Sequence, residues 1–174
     1  MQTVARRAFE GLFQVALNDE PGLRTALREA GYSGEPDREF YSLRTWRDAV
    51  DVARAHRFGE LPPDEGLRQM GRLFVDGFVQ TTVGRVLASA APWLGPERML
   101  ARMPSYMRTV RTDVSIAIVP LGVCHWRMTF EDPEPFGHFV VGVIEQMLAL
   151  CSVKADPKLV EQTQSRYVID VQWK

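Results

Sequence analysis

The sequence predicts an α+β domain: N-terminal helices followed by a ββαββ unit, with an antiparallel sheet of about four strands packed on helices. Three observations carry that expectation. From Val114 the hydrophobic period changes from helical to alternating. Val114, Ile116 and Ile118 point one way, with Asp113, Ser115 and Ala117 opposite. After a Pro120-Leu121-Gly122 turn, Cys124, Trp126, Met128 and Phe130 alternate with Val123, His125, Arg127 and Thr129, which makes a hairpin with one apolar face. A second alternation, Tyr167, Ile169, Val171 and Trp173, reads as a terminal strand. Between the two, Phe136, Val140, Val143, Met147 and Leu150 recur at helical spacing.

The elements follow in chain order. Val4 to Leu17 reads as a helix, broken by the turn formers at 18–22. Glu20 to Ala30 makes a short helix ending at Gly31, and residues 31 to 41 read as a loop. Ser42 is placed to cap a helix carrying Leu43, Trp46, Val50 and Ala53 on a narrow buried face. Pro62-Pro63-Asp64 opens the central helix, whose most apolar stretch runs from Leu67 to Ala91 and stops at Pro92. Gln69, Arg72, Asp76 and Gln80 form its polar stripe, and polarity is sparse beyond Gln80, so burial on most sides is expected there. Gly77 and Gly84 lie seven residues apart within it. Each costs roughly 1 kcal/mol of helix propensity against alanine, which implies close approach of a backbone or a ligand. A short helix is expected from Glu97 to Met103, closed by Pro104. Asp132-Pro133-Glu134-Pro135 reads as a helix start, and Ser152 to Ala155 as a short strand before an Asp156-Pro157 turn.

At 174 residues, with 45% hydrophobic and 25% charged residues, the chain fits one globular domain, 1–174. A net charge of -1 argues against a general nucleic-acid or membrane binder. No apolar run reaches the roughly 18 residues of a membrane span, and no signal segment is visible. Two cysteines, Cys124 and Cys151, make neither a disulfide framework nor a zinc motif, so a reduced, cytoplasmic setting is expected.

Enzyme motifs are absent: no nucleophile elbow, phosphate loop or dinucleotide fingerprint. His56, His125 and His138 lack metal-ligand spacing, and no metal or cofactor is expected. Cys124 and His125 are neighbours on a strand and face opposite ways, so they cannot form a nucleophile–base pair. Cys124 reads instead as a small buried hydrophobe. Arg98, Arg102, Arg108 and Arg111 form a run without an acid, either a solvated face or an anion or partner patch. Few aromatics accompany it, so no single-stranded nucleic-acid platform is expected.

Met70-Gly71, Phe74, Gly77-Phe78, Thr81 and Gly84, continued by Gly95, Leu100, Pro104, Gly142 and Trp173, resemble a paralogous domain family of unknown function described mainly from myxobacteria. The resemblance covers nearly the whole chain. At the level of architecture, helices followed by ββαββ resemble the group that holds TRAPP subunits, V4R domains and haem nitric-oxide-binding domains. That likeness implies an apolar ligand pocket or an assembly role. The haem version would need a histidine aimed into the pocket, and none of the three sits on an apolar stripe.

The expectation is therefore a non-enzymatic sensory or regulatory module for a small apolar ligand, with an anionic end taken by Arg102 or Arg108. Its pocket candidates are Gly77, Phe78, Thr81, Gly84, Tyr106, Cys124, Trp126, Met128 and Val143. The alternative is a protein–protein adaptor or homodimer that uses the glycine face or the arginine patch on an acidic partner. A third reading is an enzyme without a recognisable motif, using His138 or Glu145 with Asp113.

Overall fold

The structure, a computed structural model, describes every residue except Met1, Asp19, Pro21 and Pro36, and every side chain of the others except that of Val83. The α+β architecture is as the sequence predicts. Helices precede a four-stranded antiparallel sheet made of β3 (Ser115–Gly122), β4 (His125–Glu131), β5 (Ala155–Gln162) and β6 (Arg166–Trp173), in the order β3-β4-β6-β5. Helix α7 (Gly137–Ala149) crosses between the first hairpin and the second. It lies between the sheet and the long helix α4 (Pro63–Gln80).

The alternating pattern sets the sheet. Met128 and Phe130 of β4 and Tyr167, Ile169, Val171 and Trp173 of β6 are buried, and Phe130 stacks on Tyr167 with ring centroids 4.5 Å apart. Cys124 departs from the pattern: it occupies the hairpin turn with a φ of 54° and is only half-buried. β5 runs through the expected Asp156-Pro157 turn, because Pro157 occupies an edge strand whose other side needs no ladder bond.

The N-terminal region differs from a single helix. β1 (Thr3–Ala5) pairs antiparallel with β2 (Phe40–Ser42), placing Val4 opposite Tyr41. One α-turn, α1 (Arg6–Phe9), then widens into a π-helical stretch, Glu10–Ala16, closed by the Leu17 amide donating to the Leu12 carbonyl at 3.0 Å. The expected break at 18–22 and the loop at 31–41 fall partly on Asp19, Pro21 and Pro36, outside the described residues. Helix α2 (Leu23–Glu29) is shorter than the pattern suggested. Ser42 caps α3 (Leu43–Phe58) by accepting the Thr45 amide at 3.0 Å.

The expected central helix is two helices. α4 ends at Gln80, and Thr81 turns the chain with an extended ψ of 161°. The Thr81 hydroxyl accepts the Gly84 amide at 3.1 Å and so caps α5 (Thr82–Ala101). This break redirects the second half to the surface, where Val86 is 67% exposed rather than buried. Pro92 does not stop α5, which bends instead at Gly95, in the left-handed region at φ 74°. Pro104 opens α6 (Met103–Val110) instead of closing a helix, because a proline near a helix start forfeits no intrahelical bond. Among the described residues, no helix is long and apolar enough to cross a membrane.

α4 and α7 touch at backbone distance. A Cβ on Gly71 would overlap the Phe139 carbonyl oxygen, and a Cβ on Gly142 would overlap that of Arg68. Gly77 presses on Gly11 of the π-helical stretch, whereas Gly84 packs on the end of α4 at Phe78. The two glycines of the expected single helix thus serve different contacts. Part of the polar stripe of α4 also faces α7. Arg68 and Arg72 hold Glu145 at 2.9 and 2.7 Å, and Gln146 donates to Asp76 at 2.7 Å.

Burial raises the Glu145 carboxyl, but the hydrogen bonds from Arg72 and Arg68 outweigh it and hold the group below its ordinary value. A depressed carboxyl stabilises the fold above its unfolded value, about 4.3, and that share is lost as pH falls through the folded one. Glu145→Gln is therefore expected to cost about 1–2 kcal/mol at neutral pH. The gap to wild type should close below about pH 4 in urea unfolding series. A gap independent of pH would show that the carboxylate charge contributes nothing.

Candidate functional site

A cavity of about 160 Å³ lies between α4, α6, α7 and the end of the sheet. Its walls follow from three helical stripes. α4 supplies Phe74, Val75 and Phe78, and α6 supplies Met103, Tyr106, Met107 and Val110. α7 supplies Phe139, Val140, Val143 and Met147. Trp46 of α3 meets Phe74 and Phe139 edge-on at 6.0 and 5.9 Å, which fixes one wall as an aromatic triangle closed by the 5.7 Å contact between Phe74 and Phe139.

One end of this apolar chamber is polar. Arg111 leaves α6, Asp132 follows β4, and Tyr167 opens β6; all three line the cavity. Arg111 is 7% exposed and Asp132 2%. The guanidinium grips both Asp132 oxygens, at 2.9 and 3.2 Å, and both Asp113 oxygens, at 2.8 and 3.1 Å. Burial lifts the Asp132 carboxyl above its ordinary value, against the opposing charge of Arg111. At Asp113, on the rim, the hydrogen bonds from Arg111 outweigh burial and the net direction is down. Burial keeps the Tyr167 phenol well above its usual range, so it is a neutral donor.

The sequence candidates fall in several places. Phe78, Tyr106 and Val143 line the cavity, whereas Gly77, Thr81, Gly84, Cys124, Trp126 and Met128 do not. Arg111 is buried and committed to two carboxylates, while Arg98, Arg102 and Arg108 are exposed and lie outside the cavity lining. Arg108 donates to the Ser105 hydroxyl at 3.1 Å. The groups named for acid–base work have separate partners. His138 stands 3.4 Å from Asp64, Glu145 is held by Arg68 and Arg72, and Asp113 by Arg111. Asp132, read from sequence as a helix cap, is instead the buried partner of Arg111. The hairpin register contains the missing signal. Ser115 pairs with Glu131, so one further step along the same register brings Val114 opposite Asp132 and the arginine within reach.

The chain belongs to the family described as Protein of unknown function (DUF2378), which it matches over residues 2–174. No curated protein matches it in sequence. Its fold is that of H-NOX domains. It resembles the Fe(II) unliganded H-NOX protein from K. algicida with a TM-score of 0.72 at 12% identity, covering 98% of this chain and 96% of that one. A structure from work on haem distortion in the H-NOX family gives 0.70 at 15% identity, with 98% and 95% covered. An oxygen-binding H-NOX domain related to soluble guanylate cyclases, as its oxygen complex, gives 0.66 at 15%, with 96% and 91% covered.

The cavity of this chain does not fit haem. Among the described residues, its lining offers neither imidazole nor thiolate, the commonest anchors for the iron. The one arginine in that lining already gives four of its five N–H donors to two carboxylates, so its charge is committed and it is a poor partner for an acidic side group. The volume is about half of the roughly 300 Å³ at which sites for drug-sized ligands begin.

Proposed function

We propose that this domain is a sensory or regulatory module that binds a small, largely apolar molecule, without haem, in the cavity between α4, α6 and α7. The observation that carries the reading is the cavity itself: about 160 Å³, walled mainly by phenylalanine, methionine and valine. Dry apolar cavities of about 150 Å³ take up benzene or xenon. A structural relative with the same fold binds oxygen, which supports small-ligand binding as a use of this architecture. Occupancy would be felt by α6 and α7 together, because both contribute walls and α6 leads directly through Arg111 into β3.

The test is a titration with xenon and with toluene, followed through methyl resonances. Saturable shifts are expected at Val140, Val143 and Met147, with none at Val160 on the exposed edge strand. Val143→Phe, which fills the chamber, should abolish them. Shifts that stay linear in ligand, or that leave these methyls unmoved, would rule the reading out.

A further inference from the structure

The polar end of the cavity holds information about what it accepts. Arg111 donates four hydrogen bonds, all of them to Asp113 and Asp132. One guanidinium against two carboxylates leaves this cluster with a formal surplus of one negative charge, and Arg47, whose charge also reaches Tyr167, is engaged with the Glu134 and Pro135 carbonyls, so an anionic headgroup entering here meets no uncommitted cation. Tyr167 is different. It is 1% exposed and lines the cavity, and its hydroxyl takes part in no hydrogen bond among the described residues. The hydroxyl lies on the cavity wall rather than sealed in the interior, so a ligand of matching polarity can reach it there. Beside it, Asp132 presents carboxylate oxygens with lone pairs beyond those used by Arg111 and by the Glu134 amide at 3.0 Å.

We infer that the cavity selects a neutral, single-ring aromatic molecule bearing one hydroxyl or N–H group, the ring lying among Phe74, Phe139 and Met107 and the polar group meeting Tyr167 and Asp132, and that it rejects the corresponding carboxylate. The inference rests on the reading of this cavity as a ligand site and narrows its ligand class. Three features converge on that class: a volume of about 160 Å³ for the ring, aromatic edges around it, and a single donor–acceptor pair at one end. A hydroxyl serves both partners at once, accepting from the Tyr167 O–H and donating to Asp132. A carboxylate can accept from the tyrosine but has no proton for the aspartate.

Toluene, phenol and benzoate are the probes, titrated at neutral pH by ligand-observed NMR against the wild-type chain and Tyr167→Phe. Phenol is expected to bind at least about tenfold tighter than benzoate. Tyr167→Phe should weaken phenol about three- to tenfold and leave toluene unchanged, so toluene also reports that the variant keeps its cavity. Benzoate binding as tightly as phenol, or a phenol-to-toluene ratio untouched by the variant, overturns the selectivity while leaving the ligand site in place. Failure of toluene and phenol alike on the wild type removes the site and the selectivity together.

Discussion

Gly71→Ala is expected to destabilise the fold by about 3 kcal/mol or more, against the sign that helix propensity alone would give. In an exposed helix the same change gains roughly 1 kcal/mol. Here the added methyl would overlap the Phe139 carbonyl oxygen and stand 2.9 Å from the Val143 amide nitrogen. Both are backbone atoms of α7 and cannot rotate away as a side chain does. The helices must separate, and α7 is also packed against the sheet on its far side. Gly142→Ala tests the reciprocal contact, where the methyl would overlap the Arg68 carbonyl oxygen. For a chain of this length the melting temperature should fall by about 6–12 °C for either variant. Gly122→Ala is the control: a methyl there meets nothing within 4 Å, and the change should stay within about 0.5 kcal/mol. A Gly71→Ala protein as stable as that control would mean that α4 and α7 do not meet at backbone distance.

These glycines show what the sequence discloses and what it withholds. A glycine inside a helical pattern declares that something approaches it, but not what. Gly77 and Gly84 read as one shared face, yet Gly77 meets Gly11 and Gly84 meets Phe78 of the preceding helix. The sheet was legible because alternation is a local property: each strand residue has its face set by its neighbours. That is why β4 and β6 emerge where the pattern places them, and why Ser42 caps α3 as its position implies. The break at Thr81 was hidden because an apolar run on both sides looks continuous, although threonine followed three residues later by a buried glycine is compatible with a cap. The cavity was legible only in part. Its wall from Trp46 and its polar end from Arg111, Asp132 and Tyr167 come from four distant segments, which no local period joins. The arginine run illustrates the same limit. Four like charges in sequence read as a patch, but Arg111 turns inward because the hairpin brings Asp132 to it, beside Asp113 two residues further along the chain.

Arg111→Met should be the most damaging change at the cavity, because it strands Asp132, 2% exposed, without a counter-charge. Breaking one side of a buried pair costs about 3–5 kcal/mol, most of it the penalty of the charge left behind. The pH dependence identifies that origin. A carboxyl whose folded value is raised binds its proton more tightly in the folded state, so stability rises as pH falls through the window between the raised value and the ordinary one near 3.9. Asp132 is already raised in the wild type by burial, and losing Arg111 removes the charge that opposes the shift. The deficit of Arg111→Met should therefore be full at neutral pH and shrink on acidification, in the same direction as the Glu145→Gln difference but for the opposite reason: here the variant regains stability as Asp132 takes up its proton, whereas there the wild type loses the share that a depressed carboxyl supplied. The double variant Arg111→Met, Asp132→Leu replaces both charges with apolar groups and should recover most of the loss. It also separates stability from recognition. Its cavity would keep the ring-binding walls and the Tyr167 hydroxyl but lose the acceptor and the negative surplus, so toluene should still bind while the preference for phenol over benzoate diminishes. Recovery of stability with that preference intact would assign the discrimination to Tyr167 alone, whereas no recovery would mean that Arg111 is needed to hold the end of α6 to the hairpin rather than to neutralise Asp132.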